Sequence, residues 1–290
     1  MATVSEKDSV TGVETTGHEW DGIKELDNPM PRWWLWIFYA CIVWSVGYWV
    51  LMPAWPLVST YTKGVLGYSQ RETLIEEIAA AKAGQAQWLN RIEAATVDEI
   101  RADPQLLEFA MAGGRSAFAV NCSQCHGQGA AGFKGYPNLN DDEWLWGGTP
   151  EQILHTITHG IRNSEDPDAR WSQMPAYGKD GVLERAQIVE VVDYVLAMSG
   201  QTHDAVRAEA GKAVFAEQCA ACHGDNGTGN IELGAPNLTD SIWLYGGDRA
   251  ALTESVVNAR FGIMPPWGSR LNDATLKQLA VYVHALGGGQ

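Results

Sequence analysis

Two pentapeptides carry the chemistry of this chain: Cys122-Ser-Gln-Cys125-His126 and, 97 residues later, Cys219-Ala-Ala-Cys222-His223. Two thiols three positions apart and an adjoining imidazole suit covalent haem c attachment, in which the thiols take the vinyl groups and the histidine ligates iron. A lone Cys-x-x-Cys also suits a redox dithiol, and two pairs also suit a four-sulfur zinc site. Here both pairs carry an immediate His and then Gly, Gly127 and Gly224, and both lie inside a longer repeat. The expectation is therefore an electron carrier with two covalently bound haem c groups.

The repeat defines the elements that must position these motifs. Gly114 and Phe118 precede the first motif as Gly211 and Phe215 precede the second. Pro137-Asn138-Leu139 then matches Pro236-Asn237-Leu238, and Trp144 to Gly148 matches Trp243 to Gly247. Such self-similarity predicts two separate duplicated domains, each enclosing its own haem. Each half also holds a Met-Pro in a loop, Met174-Pro175 and Met264-Pro265. Proline restricts the residue before it and helps present a thioether to iron, so Met174 is assigned to the His126 haem and Met264 to the His223 haem. Met111 and Met198 fall within helical patterns and read as core filler.

Other residues stay open. His155 and His159, at i and i+4 on one predicted helix, compete as haem ligands or form a metal pair for which no third ligand is evident. His18, His203 and His284 read as structural or exposed. Trp144, Trp146, Trp243 and Tyr245 serve a haem propionate or fill a pocket, and Arg162 and Arg260 are propionate partners or surface cations. The Pro137 and Pro236 carbonyls are expected to accept the second N–H of each proximal histidine.

The remaining chain is read as segments. Residues 1–31 form a polar, acidic tail without apolar periodicity. Residues 32–56 form a transmembrane anchor: Trp33 to Met52 lacks any charge, spans about 30 Å as a helix, and is flanked by Trp and Pro. The fifth cysteine, Cys41, lies in this run as a small apolar residue. Residues 57–100 are a connector and an amphipathic helix with Leu74, Ile78, Trp88 and Ile92 on one stripe. Asp103-Pro104 starts a short helix expected to stop at Gly113-Gly114, with a helical turn over Ser116 to Val120 before the first motif. Residues 101–200 and 201–290 are the two cytochrome domains, closed by helices over Leu183 to Met198 and Ala274 to Leu286. The fold class is mainly α, one N-terminal transmembrane helix followed by two tandem class I cytochrome c domains. A net charge of −15 argues against nucleic acid and favours a basic redox partner.

With its acidic tail, aromatic anchor, Gly114-to-Gly127 run, Cys-Ala-Ala-Cys-His-Gly and Pro-Asn-Leu repeats, the chain resembles CcoP/FixP over nearly its whole length. These are the dihaem subunits of cbb3-type cytochrome c oxidases. The resemblance implies axial pairs His126 with Met174 and His223 with Met264, and helix contacts Gly114 with Tyr194 and Gly211 with Tyr282. It implies electron relay from a soluble or membrane cytochrome c donor, or a quinol-oxidising complex, to a monohaem cytochrome c subunit and a catalytic haem-copper subunit. Oxygen reduction and proton pumping belong to that catalytic subunit, so this chain is part of an enzyme without being its catalytic centre. It further implies a bacterial inner membrane location in the lipid bilayer, single-pass, with the N-terminus cytoplasmic and the haem domains periplasmic. Some members carry two membrane helices where this chain shows one. A free membrane-anchored shuttle, an electron-transfer subunit of a periplasmic dehydrogenase and a dihaem peroxidase are the alternatives.

Overall fold

The computed structural model describes residues 5–287, and they fall into two compact units, 1–84 and 85–290. The first unit opens with a hairpin of strands β1 (Thr15–Trp20) and β2 (Ile23–Leu26) where the sequence pattern suggests only a tail. Its signal is Asp21-Gly22, both at positive φ (50° and 85°), the pair that a tight right-twisting hairpin turn requires. Residues 1–4 of that expected tail lie outside the described residues.

Helix α1 (Arg32–Leu51) follows, and none of its residues is buried. Beyond Arg32 the helix is apolar all round, its C-terminal turn is met by residues 64–66, and its length and composition suit one bilayer crossing. Helix α2 (Gln70–Ala94) realises the amphipathic stripe in part. Ile92 is fully buried and Trp88 stacks on Phe109, whereas Leu74 and Ile78 stay exposed.

The second unit contains α3 (Val97–Ala102), α4 (Pro104–Asn121), α5 (Ser123–His126), α6 (Pro150–His159), α7 (Arg185–Met198), α8 (Ala205–Gln218), α9 (Ala220–His223), α10 (Arg249–Asn258) and α11 (Asp273–His284). Asp103 caps α4 as expected, accepting from the N–H groups of Gln105 and Leu106 with Pro104 in the first turn. The helix does not stop at Gly113-Gly114, however, and runs on to Asn121. Gly114 serves a close helix crossing instead, as does its counterpart Gly211. A Cβ on Gly114 would lie 2.2 Å from the Gln278 carbonyl oxygen of α11, and one on Gly211 would lie 2.1 Å from the Glu190 carbonyl oxygen of α7.

Those contacts correct the expected domain closure. The first repeat's opening helix, α4, packs on the last helix of the second repeat, α11, with Phe118 against Tyr282 at 5.5 Å between ring centroids. Reciprocally, α8 packs on α7, with Phe215 against Tyr194 at 5.3 Å. Each hydrophobic core is thus built from both repeats: one joins Phe118, Ile153 and Ile157 to Leu279 and Val281, the other joins Val191 and Leu196 to Phe215 and Leu252. The connection from α7 to α8 is short, residues 199–204, and short connections make consecutive helices antiparallel neighbours. Once α7 is held by α8, α4 is left to α11.

A buried charge reinforces this choice. Asp193 of α7 is fully buried and meets Arg207 of α8 at 2.9 Å and Arg249 of α10 at 2.6 Å, while accepting the Asp204 N–H at 2.8 Å. At the equivalent positions the other core holds Val281, Ala110 and Pro150. Exchanging α7 and α11 would bury Asp193 without a cation and set two arginines against valine.

Candidate haem centres

The two attachment motifs occupy one-turn helices, α5 and α9, at the ends of α4 and α8. Gly127 and Gly224, at φ 81° and 78°, turn the chain away directly after each histidine, in backbone that glycine adopts without penalty. Each imidazole is then oriented as expected: His126 Nδ1 donates to the Pro137 carbonyl at 3.1 Å, and His223 Nδ1 to the Pro236 carbonyl at 3.0 Å. A carbonyl only accepts, so the proton sits on Nδ1 and Nε2 keeps the lone pair that a metal ligand needs. Burial holds both histidines below the ordinary imidazole range, against the smaller opposing effect of the proline carbonyls. Burial likewise pushes the thiols of Cys122 and Cys219 up to about 11. Cys125 and Cys222 are exposed at the rim.

Each methionine packs with the attachment helix of the opposite repeat, not with that of its own. Met264 packs in the core that contains Cys122, Phe118 and Leu139, and Met174 in the core that contains Cys219, Phe215 and Leu238. Backbone pairing fixes this. Met264 exchanges two hydrogen bonds with Ile161, at 2.9 and 3.0 Å, just beyond the end of α6, while the loop after Met174 is tied to α10 by Lys179 N–H to the Val257 carbonyl at 2.9 Å. Tyr177 adds a hydrogen bond of 2.5 Å from its hydroxyl to the Gln218 carbonyl beside Cys219. The helix exchange therefore carries the methionine loops with it.

The aromatic and cationic positions also resolve. The indole N–H of Trp144 is buried without a partner among the described residues, a donor left over in the core that contains Cys122. Such an orphan fits a buried anionic acceptor such as a haem propionate. Trp146 and Tyr245 act differently, because a Cβ on Gly234 would lie 2.2 Å from the Trp146 ring and one on Gly135 would lie 3.3 Å from the Tyr245 ring. Each ring seats the glycine loop of the other repeat.

Arg162 is no ordinary surface cation. Its guanidinium donates to the carbonyls of Ser172 and Gly262, each two residues before a methionine, and lies over Trp146 at 5.7 Å. It holds this grip from a strained backbone, φ 51°. Arg260 lies 4.8 Å over Tyr245 and donates to the Ala251 carbonyl at 2.6 Å. Nothing in the sequence pattern singles out Arg162 as a clamp on both methionine loops, since its two acceptors are backbone atoms on separate repeats.

Between the repeats, Pro137 and Pro236 line one cavity with Asp141, Glu143 and Trp243. Asp240 Oδ2 is buried, and Glu143 is the neighbour that can donate to Asp240 when protonated. Burial first, then that hydrogen bond to Asp240, pushes Glu143 up to about 7.

Paired Cys-x-x-Cys-His helices, carbonyl-oriented histidines and methionine loops on a membrane anchor define a c-type cytochrome built from tandem repeats. Comparison with known proteins agrees. Residues 12–59 match the N-terminal domain of cytochrome oxidase-cbb3, FixP, and residues 109–195 and 206–283 match cytochrome c oxidase, cbb3-type, subunit III. The chain is 58% identical to the cbb3-type cytochrome c oxidase subunit CcoP of Azospirillum sp. (strain B510), over 98% of both chains. It is 55% identical to CcoP of Cereibacter sphaeroides over 95% of both, and 52% identical to subunit FixP of Bradyrhizobium sp. (strain ORS 278) over 100% of both. The chain belongs to the CcoP/FixP family of cbb3-type cytochrome c oxidase subunits, membrane-anchored electron-transfer proteins that carry haem c.

Proposed function

We propose that the chain holds two haem c groups in a crossed arrangement. Cys122, Cys125, His126 and Met264 hold one, and Cys219, Cys222, His223 and Met174 hold the other. The observation that carries this reading is the partition of the two methionines between the cores, each with the cysteine helix of the opposite repeat. Haem c supplies reversible one-electron iron chemistry when bound. The residues suit electron transfer, because a histidine and a methionine would together hold the iron, leaving no place for an exogenous ligand, and the soft thioether would favour the reduced state. Nδ1 hydrogen bonds to Pro137 and Pro236 lock both imidazoles, and Arg162 restrains both methionine loops, keeping reorganisation on electron transfer small. Because both prolines line one cavity, the two histidine-bearing sides approach each other, which supports transfer between the haems within the chain.

In the oxidase the chain takes electrons from a periplasmic cytochrome c donor and passes them toward a monohaem subunit and the catalytic haem-copper subunit. The net charge of −15 favours a basic donor surface. The single span α1 sits in the bacterial inner membrane with the N-terminus cytoplasmic and the haem-bearing unit periplasmic, the side on which haem c is attached.

Gentle detergent purification through this chain, followed by subunit identification and reduced-minus-oxidised spectroscopy, tests the assignment. Haem b, copper and oxygen consumption in the same particle are expected, with two haem c per chain. A c-type signal alone refutes the oxidase placement in favour of a free shuttle, and a flavin or quinone dehydrogenase partner, without haem b or copper, selects the electron-transfer subunit of a periplasmic dehydrogenase. The crossed ligation is tested by Met264→His, which lowers the potential of the haem bonded to Cys122 and Cys125. A change confined to the haem on Cys219 and Cys222 overturns it.

A further inference from the structure

The histidine pair on α6 acquires partners that its sequence neighbourhood does not reveal. His155 and His159 lie one turn apart with ring centroids 4.6 Å from each other. The loop after α6 folds back and brings Asp166 Oδ2 to 3.0 Å from His159 Nδ1. Donor atoms of His159, Asp166 and Asp168 all lie within 4.8 Å of one another. This loop is closed by backbone bonds, Arg162 N–H to the Arg170 carbonyl at 2.8 Å and Arg170 N–H to the Gly160 carbonyl at 3.1 Å, so the carboxylates are delivered by a defined turn. Asp166 Oδ1 is occupied by the Asp168 N–H at 2.8 Å, which aims Oδ2 at the imidazole.

We propose that His159, Asp166 and Asp168, with the exposed His155 one turn away on α6 turning in as the fourth donor, form a binding site for a divalent transition-metal ion of the zinc class, separate from both haem centres. The donor set suits that ion: two imidazoles and two carboxylates are ordinary zinc ligands, and a tetrahedron with bonds of about 2.1 Å has edges of about 3.4 Å, close to the observed His159–Asp166 approach. Two ionised carboxylates balance a dication. The neighbouring cations are already engaged, Arg170 with Thr156 Oγ1 at 2.9 Å and over Trp146, and Arg270 with Glu165 at 3.6 Å. The site's place in the fold gives it a consequence. Its ligands flank the segment in which Ile161 pairs with Met264 and Arg162 grips both methionine loops. An ion joining α6 to Asp166 clips the base of that segment.

The test is equilibrium dialysis of the full, haem-loaded chain in detergent against Zn²⁺, after chelator treatment, with zinc counted per haem. The wild type retains one zinc that His155→Gln and Asp166→Asn each bind more weakly, by at least the roughly 10- to 100-fold that changes around a zinc site cost. His155 is exposed, so its replacement leaves the fold intact, and an unchanged c-type spectrum with its methionine-to-iron absorption confirms this for each variant. Zinc also slows amide exchange across 160–170 in the wild type only. Equal zinc retention by wild type and the double variant, or zinc-dependent protection elsewhere with none at 160–170, overturns the proposal.

Discussion

Asp193 offers the sharpest test of why the helices exchange. In Asp193→Asn the side chain keeps its shape and one acceptor, so the Asp204 N–H stays satisfied while both arginine pairs lose their counter-charge. Hydrogen bonds to a charged group contribute about 1.5–3 kcal/mol each. Arg249 donates such a bond at 2.6 Å, whereas Arg207 approaches Oδ2 as an ion pair without a hydrogen bond. The two cations are 44% and 48% exposed and recover hydration, so about 1.5 kcal/mol for the first and about 0.5 kcal/mol for the second give a loss of about 2 kcal/mol. For a unit of this size that is a fall in Tm of roughly 4–8 °C, at roughly 2–4 °C per kcal/mol. The assay is thermal and denaturant unfolding of the haem-loaded chain, followed by helical circular dichroism. Asp193 is held below the ordinary carboxylate range, first by its hydrogen bond from Arg249. A depressed folded pKa means that the stabilisation is complete above the unfolded value and disappears as pH falls through the folded one. The difference between wild type and variant is therefore constant from about pH 5 to 8. Placing the charge at the equivalent position of α11 makes the control: Val281→Asp puts a carboxylate in a core where Ala110 and Pro150 stand at the positions equivalent to Arg207 and Arg249, and costs more than the loss at Asp193. If Asp193→Asn shifts stability by less than about 0.5 kcal/mol, or Val281→Asp is tolerated equally, the charge does not direct the pairing of these helices.

Gly114→Ala drives a Cβ to 2.2 Å from the Gln278 carbonyl oxygen, and since the Cβ is fixed by one helix backbone and the oxygen belongs to the other, α4 and α11 must separate; a loss of about 1–3 kcal/mol is expected in the same unfolding assay. Arg162→Gln removes the charged clamp on Ser172 and Gly262, so both ferric haems lose their methionine-to-iron absorption at milder denaturant than wild type, whereas an effect on one haem alone contradicts the two-loop role. Glu143, raised to about 7, binds its proton more tightly folded than unfolded, so unfolding free energy declines as pH rises from about 4.5 through about 7; Glu143→Gln flattens that slope in denaturation midpoints measured across this window.

Much of the site is legible in local chemistry. The attachment cysteines, the proximal histidines, the proline carbonyls that orient them and the Met-Pro loops are defined by near neighbours in the chain or by repetition. The same holds for the membrane span, where composition over 20 residues suffices. Gly113-Gly114 misleads because a glycine pair signals a helix stop or a close crossing equally well, and only the partner helix distinguishes them. The Asp21-Gly22 hairpin is hard to read because its strands lack an apolar face.

What the amino-acid order alone determined is the inventory: two candidate attachment motifs, two candidate methionine ligands, one apolar span and a duplicated set of helices. Only the tertiary structure decided which methionine shares a core with which attachment helix, that Arg162 holds both loops, and that Asp166 and Asp168 meet the histidines of α6. The physical reason is degeneracy. Two terminal helices with the same Tyr and a similar apolar stripe fit either glycine notch almost equally well. The choice rests on a short connection and one buried charge whose partners lie in the other repeat.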